Sequence, residues 1–147
     1  MTAAPSTALT IGEVSEMTGL STHTLRFYEK EGLFVGPVER NSAGRRVFGE
    51  EEVAWLRVCT RLRSSGMSLA DIRRYAELAR AGAGNERERF EILRAHEAKV
   101  VRQMAELQDA LDVIRWKVET YERHLAAGSA DTLWRGGPEC AVTDGGR

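Results

Sequence analysis

Cysteine is scarce in this sequence: 147 residues carry two, Cys59 and Cys140. Two thiols make no disulfide framework, and the compartment they suggest is a reducing cytoplasm. A soft-metal or iron–sulfur site needs several converging thiolates, and no cysteine falls between Thr60 and Glu139; neither metal nor cofactor is expected. His23, His96 and His124 are far apart in the sequence. Long apolar runs are missing too, which excludes a membrane-spanning helix. The segment from Met1 to Thr10 lacks the basic and apolar stretches of a secretory signal. Ala81-Gly82-Ala83-Gly84 has none of the strand-to-helix context of a phosphate loop, and no nucleophile–base set or carboxylate pair stands out, so no enzyme is expected. Even charge is nearly absent in bulk: 21 Lys+Arg against 22 Asp+Glu leave −1.

What is present is a soluble composition, 42% hydrophobic and 29% charged, whose punctuation divides the chain. Residues 1–9 are expected to be disordered, 10–80 to form a compact head, 81–85 a hinge, 86–127 one long helix and 128–147 a flexible tail. In the head, Thr10-x-x-Glu13 is a capping box for a first helix bearing Ile11, Val14 and Met17. Gly19 breaks it, and Ser21 caps a second helix through Leu25 and Tyr28 to about Glu31. Two short helices around a glycine turn form the helix-turn-helix pattern. Apolar residues from Gly32 to Val38, a polar turn over Glu39–Gly44 and the run Arg45–Phe48 read as a two-stranded hairpin. Together they predict a mainly α fold with a winged helix-turn-helix head and a small β-hairpin wing. A third helix follows Gly49 with Val53, Leu56, Cys59 or Thr60, and Leu62. A fourth is capped by Ser68 and turns Leu69, Ile72, Tyr75 and Ala79 inward, and Asn85 caps a fifth.

In the long helix, apolar residues step by three and four: Phe90, Leu93, Val100, Met104, Leu107, Leu111, Ile114, Val118, Tyr121 and Leu125, with Glu97 the one polar residue in the seam. No proline or glycine interrupts residues 85–127. This is a coiled-coil pattern over about five heptads, roughly 60 Å long. An exposed seam of that size would aggregate unless a partner covers it, so a homodimer is expected, with those ten apolar residues as its interface. Antiparallel pairing centred near Leu107 would bring Glu97 to Lys117 of the second copy, compensating the seam charge.

The candidate DNA contacts are Ser21, Thr22, His23, Thr24, Arg26 and Tyr28 on the second helix, and Arg40, Arg45 and Arg46 around the hairpin turn, with Asn41 and Ser42 as further donors. A recognition helix reaches base edges and phosphates through its N-terminal turn, and arginines beside it hold the backbone. For Arg57, Arg73, Arg74 and Arg80, a solvated surface role and a DNA role remain equally open.

These residues resemble the MerR family of bacterial transcription regulators. The resemblance runs through Thr10-Ile-Gly-Glu-Val-Ser15, Thr18-Gly-Leu-Ser21, Thr24-Leu-Arg-Phe-Tyr-Glu29, Gly32-Leu33, Gly44, Arg46, Phe48, Leu62-Arg-Ser-Ser-Gly-Met-Ser-Leu69 and Ile72. It implies a homodimer joined by antiparallel helices, two winged heads on a palindromic promoter, and transcription controlled with RNA polymerase through distortion of the DNA. It further implies that Arg26 and Tyr28 clamp phosphates and that Arg46 is the wing arginine. Phe27, Arg45 and Phe48 depart from the tyrosines common there, and Phe48 reads as packing. Leu62-Arg63, Gly66-Met67-Ser68, Tyr75, Leu93-x-x-His96 and Ile114-x-x-Lys117-x-x-x-Tyr121 are closest to the branch answering aldehydes or other small molecules, although that branch's cysteine is here Arg61. Cys59 reads as a small core residue, Cys140 as incidental, and Trp116, Tyr121 and Trp134 as packing or a pocket for an effector. An architectural or recombination accessory protein with the same head is the alternative.

Overall fold

Capping side chains set the element boundaries. In the computed structural model, which describes residues 8–135, Thr10 Oγ1 accepts from Glu13 N (3.2 Å) while Glu13 Oε1 accepts from Thr10 N (3.3 Å). Both halves of the box thus open α1 (Ile11–Thr18). Gly19, at φ 76°, closes it in the left-handed region that glycine reaches without strain. Ser21 caps α2 (Thr22–Lys30), and Ser68 caps α4 (Leu69–Ala81). Between them α3 (Glu50–Ser64) starts after Gly49, whose N–H donates to Glu52 Oε2 at 2.9 Å. The chain then turns through Gly82 and Gly84, both at positive φ, into α5 (Glu86–Ala127).

Three short antiparallel strands complete this mainly α fold: β1 (Leu9–Thr10), β2 (Glu39–Arg40) and β3 (Arg46–Phe48), ordered β1-β3-β2. Two details correct the sequence reading. Leu9 is not disordered: it pairs with Phe48, and Thr10 with Val47. The first hairpin strand is Glu39–Arg40 rather than part of residues 32–38, and the turn is accordingly shorter. Asn41 is the reason, since its Oδ1 accepts from the amides of Ala43 and Arg45, both at 3.0 Å, and folds the chain back at once.

Two compact units divide the chain, one ending at Glu97 and the other beginning at Ala98. The first holds a single core including Val14, Leu25, Leu33, Phe34, Phe48, Val53, Trp55, Leu56, Cys59, Met67, Ile72 and Ala76. Of the residues expected inward, Leu62, Leu69 and Tyr75 are only partly buried against it, and Ala79 is half-buried, the buried positions of α4 being Ile72, Ala76 and Leu78. Met17 is exposed. Trp55, absent from the expected face, is buried; its ring stacks on Tyr75 (5.3 Å, 6°) and its Nε1 donates to Leu33 O at 2.7 Å.

That bond belongs to a larger arrangement. Residues 31–34 lie outside helix and strand, so their carbonyls need other donors. Arg73 Nε supplies Glu31 O (2.8 Å), Arg80 Nη1 supplies Gly32 O (2.9 Å) and Phe34 O, and Trp55 supplies Leu33 O. Arg73 and Arg80 therefore fasten the loop after α2 to α4, a role neither expected reading gave them. Arg74 pairs with Glu88 at 3.0 Å, and His96 Nε2 lies 2.8 Å from Ser65 Oγ.

In the second unit, α5 ends at a turn through Gly128 (φ 71°), followed by a short 3-10 helix, Ala130–Arg135. Thr120 and Leu133 are buried, so the expected flexible tail begins with a folded turn. The rest of that segment, with Cys140, lies outside the described residues, as does the side chain of Trp134. No helix among the described residues is long and apolar enough to cross a membrane.

Candidate nucleic-acid interface

The N-terminal turn of α2 is built around Ser21. Its Oγ accepts from Thr24 N at 3.0 Å and donates to Thr24 Oγ1 at 2.9 Å. These hydroxyls are first of all capping groups, and Thr22 and Thr24 are half-buried. His23 and Arg26 are exposed. With the open amides of the first turn they form a donor-rich end suited to an anion.

Tyr28 stands apart from the other candidates. It is 6% exposed and belongs to the core. Its hydroxyl meets the Cys59 sulfur and the Arg63 guanidinium, and burial raises its pKa above the ordinary value. The cause in the sequence is periodicity: Leu25 and Tyr28 share the inward face of α2, while Arg26 does not. Phe27, expected to lack a phosphate-holding hydroxyl, is exposed beside it, with the ring centroids 6.3 Å apart.

On the wing, Gly44 (φ 76°) and Asn41 make the turn, which presents Ser42 and Arg45 to solvent. Arg40 and Arg46 flank it and converge on one carboxylate. Arg46 Nε donates to Glu29 Oε2, and Arg40 Nη2 lies 3.4 Å from Glu29 Oε1 while its Nη1 donates to Gly44 O at 3.1 Å. Glu29 is on α2, so a single acidic residue joins the wing arginines to the helix bearing Arg26. Sequence reasoning missed it, as it missed Arg63. An acidic residue among candidate DNA contacts carries no local signal of its role, and its partners lie 11 and 17 residues away.

Cys59 is fully buried, and burial pushes its thiol up to about 11, against smaller opposing effects of the Arg63 charge and the Tyr28 hydrogen bond. Among the described residues, no group of three or more His, Cys, Asp or Glu side chains could hold a metal ion. Trp116 and Tyr121 are half-buried, with Lys117 Nζ 6.0 Å from the Tyr121 ring centre. Of the expected dimer seam, Phe90, Leu93, Met104, Leu107, Leu111, Ile114, Val118 and Leu125 are exposed in the single chain, whereas Val100 and Tyr121 are half-buried.

Comparison with known proteins matches the same regions. The profile of the MerR HTH family regulatory protein matches residues 9–78, and one described as MerR, DNA binding, matches residues 53–116. An uncharacterized HTH-type transcriptional regulator of Haemophilus influenzae is 38% identical over 124 residues, spanning 84% of this chain and 91% of its own. Among solved structures, HiNmlR, a MerR family regulator lacking the sensor domain and bound to promoter DNA, superposes with a TM-score of 0.77 at 36% identity, covering 86% of this chain and 99% of that one. A putative MerR family transcriptional regulator from Listeria monocytogenes gives a TM-score of 0.78 at 31% identity, over 87% and 99%.

Proposed function

The chain belongs to the MerR family of helix-turn-helix transcriptional regulators, and we propose that it works as a homodimer on a palindromic promoter site, changing transcription by deforming the DNA between its two heads. The observation that carries the DNA-contacting part is the convergence of α2 and the wing. Arg26 and the capped first turn supply donors on the helix, and Arg40, Arg45 and Arg46 supply cations on the wing. Most of these contacts go to phosphates and fix the register, which is what a protein that bends its site requires.

Dimerisation rests on the exposed seam of α5. Antiparallel pairing sets the two recognition helices apart so that each reaches its own major groove, and it brings Glu97 of one copy toward Lys117 of the other. The signal in this reading is a small organic molecule rather than a soft metal, because the described residues offer only one thiol, Cys59, in a buried position that favours the protonated form. RNA polymerase is the partner on the deformed promoter.

A salt-titrated binding assay with footprinting, on the DNA upstream of the chain's own coding region, tests this reading. The expected result is a short palindromic footprint with affinity falling steeply as salt rises. Binding without sequence preference would replace it with an architectural or recombination accessory role, and no binding at low salt would remove the interface altogether.

A further inference from the structure

We infer that Glu29 is a positioning residue for DNA binding, whose negative charge strengthens the grip on the phosphate backbone by holding two of the wing arginines, Arg40 and Arg46, in their bound orientation. This deepens the DNA-binding reading above and rests on it. A carboxylate at a DNA interface ordinarily repels the phosphates, so the inference predicts an effect of opposite sign.

The geometry carries it. Glu29 takes Arg46 by Nε, on the side of the guanidinium. Among the described residues, no acceptor takes the two terminal amino groups of Arg46, which remain as a free fork of the kind that fits two phosphate oxygens. The other carboxylate oxygen meets Arg40, whose remaining amino group is tied to Gly44 O at the wing turn. Both guanidinium planes are thus referred to α2, the helix bearing Arg26. The side chains of Glu29 and Arg46 are each 26% exposed and that of Arg40 is 46% exposed. The Arg40 pair, this open to solvent, contributes little to folding, while the Arg46 pair is partly buried. What such a pair changes is rotamer freedom: an arginine already held in one orientation loses less on binding than one free in solvent.

The test is a double-mutant cycle read by fluorescence anisotropy on the upstream duplex, with a scrambled duplex of equal length beside it. In the parent chain, Glu29→Ala is expected to weaken binding about three- to tenfold, with the salt slope retained because the arginines still reach phosphates. Glu29→Gln, whose amide oxygen still accepts from Arg46 Nε, is expected to recover part of the loss and stands in for the alanine variant should that fail to fold. In a chain carrying Arg40→Ala and Arg46→Ala, removing Glu29 is expected to cost nothing. Tighter binding by Glu29→Ala in the parent, or an equal loss in the chain lacking Arg40 and Arg46, would overturn the inference. If the parent chain binds neither duplex, the DNA-binding reading itself falls and takes this inference with it.

Discussion

The hydroxyl of Tyr28 and the sulfur of Cys59 meet in the core beneath α2, where burial raises both pKa values. For Cys59 the folded value of about 11 stands above the ordinary 9.0. The folded state therefore holds the thiol proton longer than the unfolded chain does. The stability this confers is whole below pH 9 and is lost as pH rises toward 11, amounting to roughly 2–3 kcal/mol for a shift of that size. Tyr28, raised from 10.0, acts in the same direction. Urea unfolding at pH 8 and at pH 10.5 should show a clear fall in midpoint, reduced in Cys59→Ala. In a Cys140→Ser background, Cys59 should react with a thiol reagent at neutral pH only as fast as the head unfolds. Rapid labelling of the native protein would refute the protected thiol and reopen a direct role for Cys59 in sensing.

Arg80 should matter to folding and not to DNA. It donates to the carbonyls of Gly32 and Phe34, and Arg80→Ala leaves both without their side-chain donor. The expected loss is about 1–3 kcal/mol by denaturant titration. The slope of log affinity against log salt should stay at the parent value. A flatter slope with unchanged stability would place Arg80 among the phosphate contacts instead.

These roles show where the sequence was legible. Caps and periodicities act over three or four residues, so Thr10 with Glu13, Ser21 with Thr24 and Ser68 with Asp71 could be read directly, and so could the uninterrupted α5. The glycine turn and the arginines around it located the wing. Strand β1 could not be read, because Leu9 and Thr10 have no alternation to display and become a strand only by pairing with Val47 and Phe48. Arg73 and Arg80 find their acceptors 42 to 48 residues away, and Glu29 finds Arg46 17 residues away. No local pattern encodes such partners. Tyr28 was legible as an inward residue by its spacing from Leu25, yet its place on the second helix put it among the candidate DNA contacts.

Arg46 is expected to account for a single phosphate. Arg46→Ala should lower affinity for specific and scrambled duplexes alike and flatten the salt slope by about one unit. The head should remain folded, since Phe48 and the β1–β3 pairing hold the strand by other means. If the loss appears only on the specific duplex, Arg46 reads bases rather than the backbone.

Leu107 separates pairing from folding. It is 70% exposed in the single chain, so Leu107→Glu removes little intramolecular packing and places a carboxylate where water already reaches. Any effect on assembly must therefore come from a second copy covering that position. In an antiparallel pair centred near Leu107 the two substituted carboxylates face each other, and the repulsion adds to their desolvation. Analytical ultracentrifugation should show the parent as a dimer and the variant as a monomer with unchanged helix content. Affinity for a two-half-site duplex should fall by about 10²-fold or more, because the second head no longer binds at the effective concentration that linkage provides. Leu107→Met, similar in volume and apolar, should keep both the dimer and the affinity. A Leu107→Glu monomer that binds as tightly as the parent would show that one head suffices, and a variant that stays dimeric would move the interface away from this seam.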